Sequence, residues 1–152
     1  MKLSSPSFEN HQPIPVKHTG EGADTSPGLE WEGAPSSTKS FALICDDPDA
    51  PGGTWVHWVI YNIAAGTTGL SDGVAKSDTA AGARQGVNDF GKVGYNGPMP
   101  PRGHGQHRYY FKLYALKAEL DLKPRATKTQ LEAAMKGQIL AEARLVGTYE
   151  RK

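Results

Sequence analysis

Residues 40–63 read SFALICDDPDAPGGTWVHWVIYNI and hold two apolar runs on either side of an acidic turn. Ser40–Asp46 has the length of a strand, and Trp55–Ile63 is rich in β-branched and aromatic residues, so we predict a strand for each run. Both runs are apolar almost throughout, which favours strands buried on two faces. Strict alternation would place five side chains of the second strand on one face, namely Trp55, His57, Val59, Tyr61 and Ile63.

Three more segments complete the predicted secondary structure. His107–Lys117 alternates as a strand, with His107 and Tyr109 on the same face, and Leu145–Tyr149 is a closing strand. The helix signal starts near Thr127, where Thr-x-x-Gln is a capping-box pattern. Strands that outnumber one or two short helices, joined by turns rich in glycine and proline, indicate a mainly β protein folded as an antiparallel β-sandwich. A parallel βαβ sheet is disfavoured because the chain lacks crossover helices.

Length and charge restrict the class of protein further. The 152 residues predict one domain over 1–152, and 17 basic against 16 acidic residues argue against a nucleic-acid-binding protein. The apolar stretch Trp55–Ala65 is shorter than the ~20 residues of a membrane helix, so we expect no transmembrane segment. Met1–Gly20 lacks the apolar core of a secretory signal and Cys45 has no cysteine partner, which favours a cytoplasmic protein.

Polar residues with possible chemistry concentrate beside the predicted strand ends. Two prolines hold Asp47 and Asp49 rigidly, either as a simple turn or at the rim of a cavity. His57 lies in an apolar run, where it is either a hydrogen-bonded core residue or a ligand contact. Residues 96–109 form a glycine- and proline-rich loop, which either cradles an anion or is a tight connection with a solvated His104.

Several motifs taken together resemble the phosphatidylethanolamine-binding protein family, in particular its bacterial and archaeal Raf-kinase-inhibitor-like branch. The motifs run in order from residue 47 to residue 109: Asp47-Pro48-Asp49-Ala50-Pro51, Trp55-x-His57-Trp58, Asn88-Asp89-Phe90-Gly91, Gly97-Pro98-x-Pro100-Pro101-x-Gly103 and Gly105-x-His107-Arg108-Tyr109. Ser26-Pro27, Leu29-x-Trp31, residues 38–43 and residues 145–149 also fit that branch, so the resemblance covers nearly the whole chain. Two positions depart from that branch: His18-Thr19-Gly20 replaces a Tyr-Thr-Cys segment, and Met99 stands where cysteine is frequent.

The resemblance implies a β-sandwich with a small preformed pocket for phosphate-like anions or phospholipid head groups. Carried over by motif, the ligand-binding residues would be Asp47, Asp49, Trp55, His57, Gly97, Pro100, Pro101, His107 and Tyr109. The carboxylates would orient the histidines or receive the ammonium end of phosphoethanolamine. The chain ends without the C-terminal helix that covers the pocket in animal members, so we expect a homodimer in which a second subunit covers that edge.

Three classes of function are consistent with this pattern. We favour a non-enzymatic binding protein for a small anionic or phosphorylated ligand, without cofactor or metal, that regulates a protein partner such as a kinase or protease. The alternative is a metal-dependent or acid/base hydrolase that uses Asp47, Asp49, His57 and His107, with His104 as a further ligand. A third hypothesis is a protein-interaction module that acts through the loops at 66–106.

Overall fold

Ten strands, one α-helix and one short 3₁₀ helix make up the chain, and the computed structural model describes all 152 residues. The strands are β1 (Lys2–Ser4), β2 (Gln12–Pro13), β3 (Leu29–Glu32), β4 (Ser40–Asp47), β5 (Trp55–Ala64), β6 (Gly69–Leu70), β7 (Thr79–Ala80), β8 (Ala83–Gln85), β9 (His107–Leu116) and β10 (Ile139–Tyr149). The 3₁₀ helix is Val16–His18 and the α-helix, α1, is Lys128–Met135.

The strands form two sheets. The larger sheet has the order β2-β10-β9-β4-β5-β8-β7 and the smaller has the order β1-β3-β6. Every pair is antiparallel except β2 with β10, where a two-residue edge strand runs parallel to its neighbour. Apolar side chains of both sheets share one core, so the predicted mainly β sandwich is confirmed.

The central strand β4 contributes to two separate cores. Phe41, Leu43 and Cys45 lie in the core between the sheets, where Cys45 is a buried free thiol. Ala42 and Ile44 lie in a second core on the other face of the large sheet, which α1 covers with Leu131 and Met135. The prediction of burial on both faces is therefore confirmed for β4.

Strand β5 departs from strict alternation, and that prediction is wrong. Its pairing with β4 matches Cys45 with Trp58 but Asp46 with Val56, so His57 is an extra residue without an opposite partner. A second irregularity near the far end of β5 includes Asn62, at a φ of 53°. Because of these two bulges, the β5 side chains divide between the cores differently: Val56, Val59 and Tyr61 face α1, whereas Trp58, Ile60 and Ile63 face the small sheet.

The predictions for the C-terminal third hold with one correction. The capping box at Thr127 precedes α1, and α1 ends just before Gly137, at a φ of 78°. Strand β10 begins at Ile139, well before the predicted start at Leu145, because it pairs with β9 along its length. In the first half of β10 the side chains that pack against the core are Ala141 and Ala143, which give a much weaker alternation in the sequence than Leu145 and the residues after it.

The 66–105 region is mostly loop, as its glycine content predicts, with only the short strands β6, β7 and β8. Buried side chains hold it to the sheet: Gln85 accepts a hydrogen bond from the indole N–H of Trp58 at 2.8 Å and donates to the carbonyl oxygens of Ala75 and Ser77. The chain has no helix of the length and apolarity needed to cross a membrane.

Candidate functional site

A cavity of about 630 Å³ lies at the end of the sandwich where β4 ends and β5 and β9 begin. Its lining residues are Asp47, Ala50, Pro51, Gly52, Gly53, Thr54, Trp55, His57, Asp89, Phe90, Met99, Pro100, Pro101, His107 and Tyr109. A larger open groove of about 810 Å³ crosses the small sheet, but it contains no histidine. The cavity therefore concentrates the residue types that the sequence analysis singled out.

Seven of the nine predicted site residues line this one cavity, although they come from three distant segments. They are Asp47, Trp55, His57, Pro100, Pro101, His107 and Tyr109. The other two, Asp49 and Gly97, lie outside the lining. Adjacent antiparallel strands bring the segments together, since β4 lies between β5 and β9 in the large sheet.

His57 is buried, and only one of its two ring nitrogens forms a hydrogen bond within the chain. Its Nδ1–H donates to the carbonyl oxygen of Asn96 at 2.7 Å, and its ring packs edge-on against Phe90 and Tyr109. The Nε2 atom has no hydrogen-bond partner in the chain. Burial lowers the pKa of His57, so the neutral ring is favoured, with its Nε2 lone pair available to the cavity.

His107 is held from both sides in a hydrogen-bonded chain of three residues. Its Nδ1–H donates to Asp47 Oδ2 at 2.7 Å, and its Nε2 lies 2.6 Å from Nδ1 of His104. Asp47 is itself buried, and its other oxygen, Oδ1, accepts from the backbone N–H of Asp49 at 2.7 Å. Both ring nitrogens of His107 are therefore occupied within the chain. His104 is exposed, as predicted for a solvated loop residue, but it also contacts the buried His107.

The Tyr109 hydroxyl is the second cavity group without a partner in the chain. The residue is almost fully buried, and burial, followed by the nearby charge of Asp47, raises the pKa of Tyr109 well above its usual value. The hydroxyl thus stays protonated at physiological pH and can donate a hydrogen bond to a ligand.

Asp49 forms an ion pair outside the lining. Both of its carboxylate oxygens accept from the Arg108 guanidinium, at 2.8 and 2.9 Å, and the backbone N–H of Arg108 donates to it as well. The hydrogen bonds from Arg108 lower the pKa of Asp49 to about 2. This pairing joins the turn after β4 to the start of β9, which is a structural role.

Gly97 is a packing residue and offers no free amide. Its N–H donates to Asp24 Oδ1 at 2.7 Å. A Cβ at this position would lie 2.0 Å from the carbonyl oxygen of His18 and 2.8 Å from the Tyr95 hydroxyl. Glycine is required here because two segments pass too close for any side chain.

Several lining residues are not among the candidates predicted from the sequence, chiefly Asp89, Phe90 and Met99. Asp89 Oδ2 accepts from the backbone N–H of Val56 at 2.7 Å, so the turn is tied to the start of β5. Asn88 stabilises this turn by accepting from two backbone N–H groups through its side chain. The motif at 88–91 was part of the family resemblance, and that signal could have identified Asp89 and Phe90.

The charge pattern of the cavity is unusual for an anion site. The lining has two carboxylates, Asp47 and Asp89, and no lysine or arginine. No cluster of three or more His, Cys, Asp or Glu side chains is arranged to hold a metal ion. The hydrogen-bond donors that the lining offers are therefore uncharged: the Tyr109 hydroxyl and backbone or hydroxyl groups near Thr54. The exposed carboxylate of Asp89 lies at the mouth of the cavity.

Comparison with known proteins agrees with the fold. A family model described as "Phosphatidylethanolamine-binding protein" matches residues 4–150. A "UPF0098 protein" from Aquifex aeolicus is 51% identical over 152 residues, which cover 99% of this chain and 89% of that protein. The crystal structure of Escherichia coli YbcL, described as a new member of the mammalian PEBP family, superposes with a TM-score of 0.92 at 35% identity, covering 99% of this chain and 98% of that one.

One relative bears on location. A Mycobacterium tuberculosis protein named "Putative lipoprotein LppC" is 42% identical over 150 residues, which cover 99% of this chain and 72% of that protein. The cytoplasmic location expected from the sequence stays a prediction.

Proposed function

This chain belongs to the phosphatidylethanolamine-binding protein family, and on that premise we propose that its cavity binds the phosphorylated head group of a small zwitterionic ligand, with phosphoethanolamine as the model compound. Family membership supports a binding protein as the general kind of function. Binding of a phosphate-like group at this site is the finer proposal, and it rests on the cavity.

The observation that carries the proposal is the pair of unpartnered polar atoms in one apolar cavity, the Tyr109 hydroxyl and His57 Nε2. Neither atom is sealed inside the protein, so both are open to the cavity and a ligand oxygen can form a hydrogen bond with each. Tyr109 donates directly, whereas His57 donates from Nε2 once it is protonated, or accepts from a protonated phosphate. A volume of about 630 Å³ is typical of a small-molecule site and exceeds the needs of a phosphate alone.

The carboxylates favour a zwitterion over a simple anion. Asp47 and Asp89 repel the negative charge of an anionic ligand, and the lining has no cationic side chain that would offset this repulsion. An ammonium group at the mouth would instead meet Asp89, with the aromatic faces of Trp55 and Phe90 beside it. We therefore expect phosphoethanolamine to bind more tightly than inorganic phosphate.

The test is a calorimetric titration of phosphate and phosphoethanolamine into wild type, Tyr109→Phe and Tyr114→Phe. Tyr109→Phe removes a hydroxyl without a protein partner, so folding is preserved and phosphoethanolamine affinity falls about tenfold, the worth of one good hydrogen bond. Tyr114, whose hydroxyl also lacks a partner, lies outside the cavity and is the matched control. Equal affinity for all three proteins would contradict the proposal.

The remaining functional expectations stay predictions. They are the homodimer, the kinase or protease partner and the absence of enzymatic activity. Incubating the protein with phosphate esters in the same titration buffer tests the hydrolase alternative. Turnover that is lost in His57→Asn would favour hydrolysis over simple binding.

A further inference from the structure

We propose that His104 and His107 form a separate site, beside the cavity, for a divalent transition-metal ion such as Zn²⁺ or Cu²⁺. His107 also lines the cavity, but the metal site uses His107 Nε2 and His104 Nδ1, whereas the phosphate proposal rests on the Tyr109 hydroxyl and His57 Nε2, so the two proposals are tested by different variants. The feature that points to it is the direct approach of two imidazole nitrogens, His107 Nε2 and His104 Nδ1, at 2.6 Å.

Two nitrogen atoms whose lone pairs point at each other need one proton or one cation between them. In the protein alone that centre is a proton, donated by one ring to the other. The ring centroids are 4.8 Å apart and the ring planes are inclined at 64°, so the two nitrogens meet nearly head to head. A metal ion is the other species that imidazole nitrogens bind in this way.

The hydrogen bond from His107 to Asp47 prepares His107 as a ligand. Its Nδ1–H donates to the buried carboxylate at 2.7 Å, which settles the tautomer and leaves the Nε2 lone pair toward His104. Carboxylate–histidine–metal chains of this kind orient the ring and raise its basicity as a ligand. Asp47 is itself held by the Asp49 backbone N–H, so the chain is rigid at its buried end.

His104, at the exposed end of this hydrogen-bonded chain, can move to the nitrogen–nitrogen separation that a metal ion requires. Zn–N bonds of about 2.0–2.1 Å in tetrahedral geometry separate two nitrogens by about 3.3 Å, so the present 2.6 Å must widen by about 0.7 Å. His104 is exposed and lies between Gly103 and Gly105, at φ values of 73° and 90°. The backbone of this loop is held by hydrogen bonds from Gly103 N–H to the Arg151 carbonyl oxygen and from His104 N–H to the Pro101 carbonyl oxygen. The widening therefore falls to the exposed His104 side chain, which has open space beside it.

Two protein ligands leave the coordination sphere open. No third His, Cys, Asp or Glu is placed to complete it, so water or a small anion would take the other positions. Open coordination predicts moderate affinity and the order Cu²⁺ above Zn²⁺ above Mn²⁺.

The test titrates Zn²⁺ and Cu²⁺ into chelator-stripped protein by calorimetry, with wild type, His104→Asn and His11→Asn compared. We expect one ion per chain in wild type and in His11→Asn, and at least tenfold weaker binding in His104→Asn. His11 is an exposed histidine at a φ of 67°, which asparagine tolerates, so it controls for general imidazole affinity. The Cu²⁺ spectrum of wild type by electron paramagnetic resonance should show two nitrogen donors, and one or none in His104→Asn.

Asp47→Asn tests the supporting carboxylate and should weaken metal affinity by about 10- to 100-fold while both histidines remain. If that variant unfolds, the His104→Asn comparison decides alone, since His104 is exposed. Equal affinities in wild type and His104→Asn, or no stoichiometric binding in wild type, would mean that the pair shares a proton only and would overturn the inference. Phosphoethanolamine titrations in the presence of chelator separate this failure from a failure of the cavity proposal.

Discussion

His57 shows how one backbone irregularity determines the chemistry of a side chain. It is the extra residue of a bulge between β4 and β5, and its Nδ1–H is committed to the carbonyl oxygen of Asn96. Its remaining nitrogen, Nε2, is a lone-pair acceptor while the ring is neutral, and becomes a donor to an anion only after protonation. The protonation state of His57 therefore controls what the cavity can bind.

Sulfate makes this dependence measurable, because it carries no proton near neutral pH. Burial lowers the folded-state pKa of His57, so sulfate affinity should rise as the pH falls below about 7, by up to tenfold per pH unit above that pKa. The lowered pKa of His57 also makes the stability of the fold depend on pH. Its contribution to the free energy of unfolding is complete above about pH 6.5, the pKa of histidine in the unfolded chain, and is lost as the pH falls through the lower pKa of the folded protein. Calorimetry at several pH values should show that the sulfate affinity of His57→Asn is weak and does not change with pH. If His57→Asn keeps the pH dependence of the wild type, another group takes up the proton.

Gly97 illustrates a glycine that is required by packing. Gly97→Ala places a Cβ 2.0 Å from the His18 carbonyl oxygen, so the backbone must move, and we expect a loss of about 3 kcal/mol in the free energy of unfolding. Gly52→Ala is the matched control, because no atom lies within 4 Å of its Cβ, and should change stability by less than about 1 kcal/mol. Urea denaturation of the two variants measures the difference, and similar losses for both would refute the packing explanation.

At the scale of elements, the site depends on the ends of strands and not on their middles. The last residue of β4 and the first residues of β5 and β9 supply acidic and aromatic groups, and the turn at 88–91 and the loop at 99–101 close the cavity. At strand ends, buried polar side chains can reach partners in the neighbouring loops, as His57 does with the Asn96 carbonyl oxygen. The single α-helix, α1, packs on the face of the large sheet that points away from the small sheet.

The capping box of α1 should make a measurable contribution to stability. The Thr127 hydroxyl accepts from the Gln130 backbone N–H at 3.1 Å, and the Gln130 side chain accepts from the Thr127 N–H at 3.0 Å. Thr127→Ala should lower the free energy of unfolding by about 1 kcal/mol. Thr129→Ala, an exposed position within the same helix turn, should cause no loss, because alanine has the higher helix propensity. Thermal unfolding distinguishes the pair, and equal effects would contradict a capping role.

For the whole molecule, β4 and β5 connect the two cores, since each strand contributes side chains to both. The two cores therefore should not unfold separately, which agrees with the single domain predicted over 1–152. Leu131 of α1 is fully buried in the second core, far along the chain from the strands that it covers.

Leu131→Ala tests this coupling. It should lower the free energy of unfolding by about 2–5 kcal/mol. The midpoint should shift equally by far-ultraviolet circular dichroism and by tryptophan fluorescence, which reports Trp31 and Trp58 in the first core together with the partly exposed Trp55. Leu140→Ala, at an exposed position of β10, should cost far less. Two different midpoints in the Leu131 variant would show that the cores unfold independently.

The sequence by itself determined the β-sandwich, and its resemblance to a known family indicated seven of the residues that line the cavity. Long apolar runs must be buried, and strands with two apolar faces need a layer on each side, so the sandwich follows from local pattern. Only the tertiary structure decided that Asp49 pairs with Arg108, that Gly97 is required for close packing and that both nitrogens of His107 are occupied. Each of these depends on a contact through space, most of them between segments far apart in the chain. Alternation of side chains carries no information about such contacts, and the bulge at His57 breaks even that alternation.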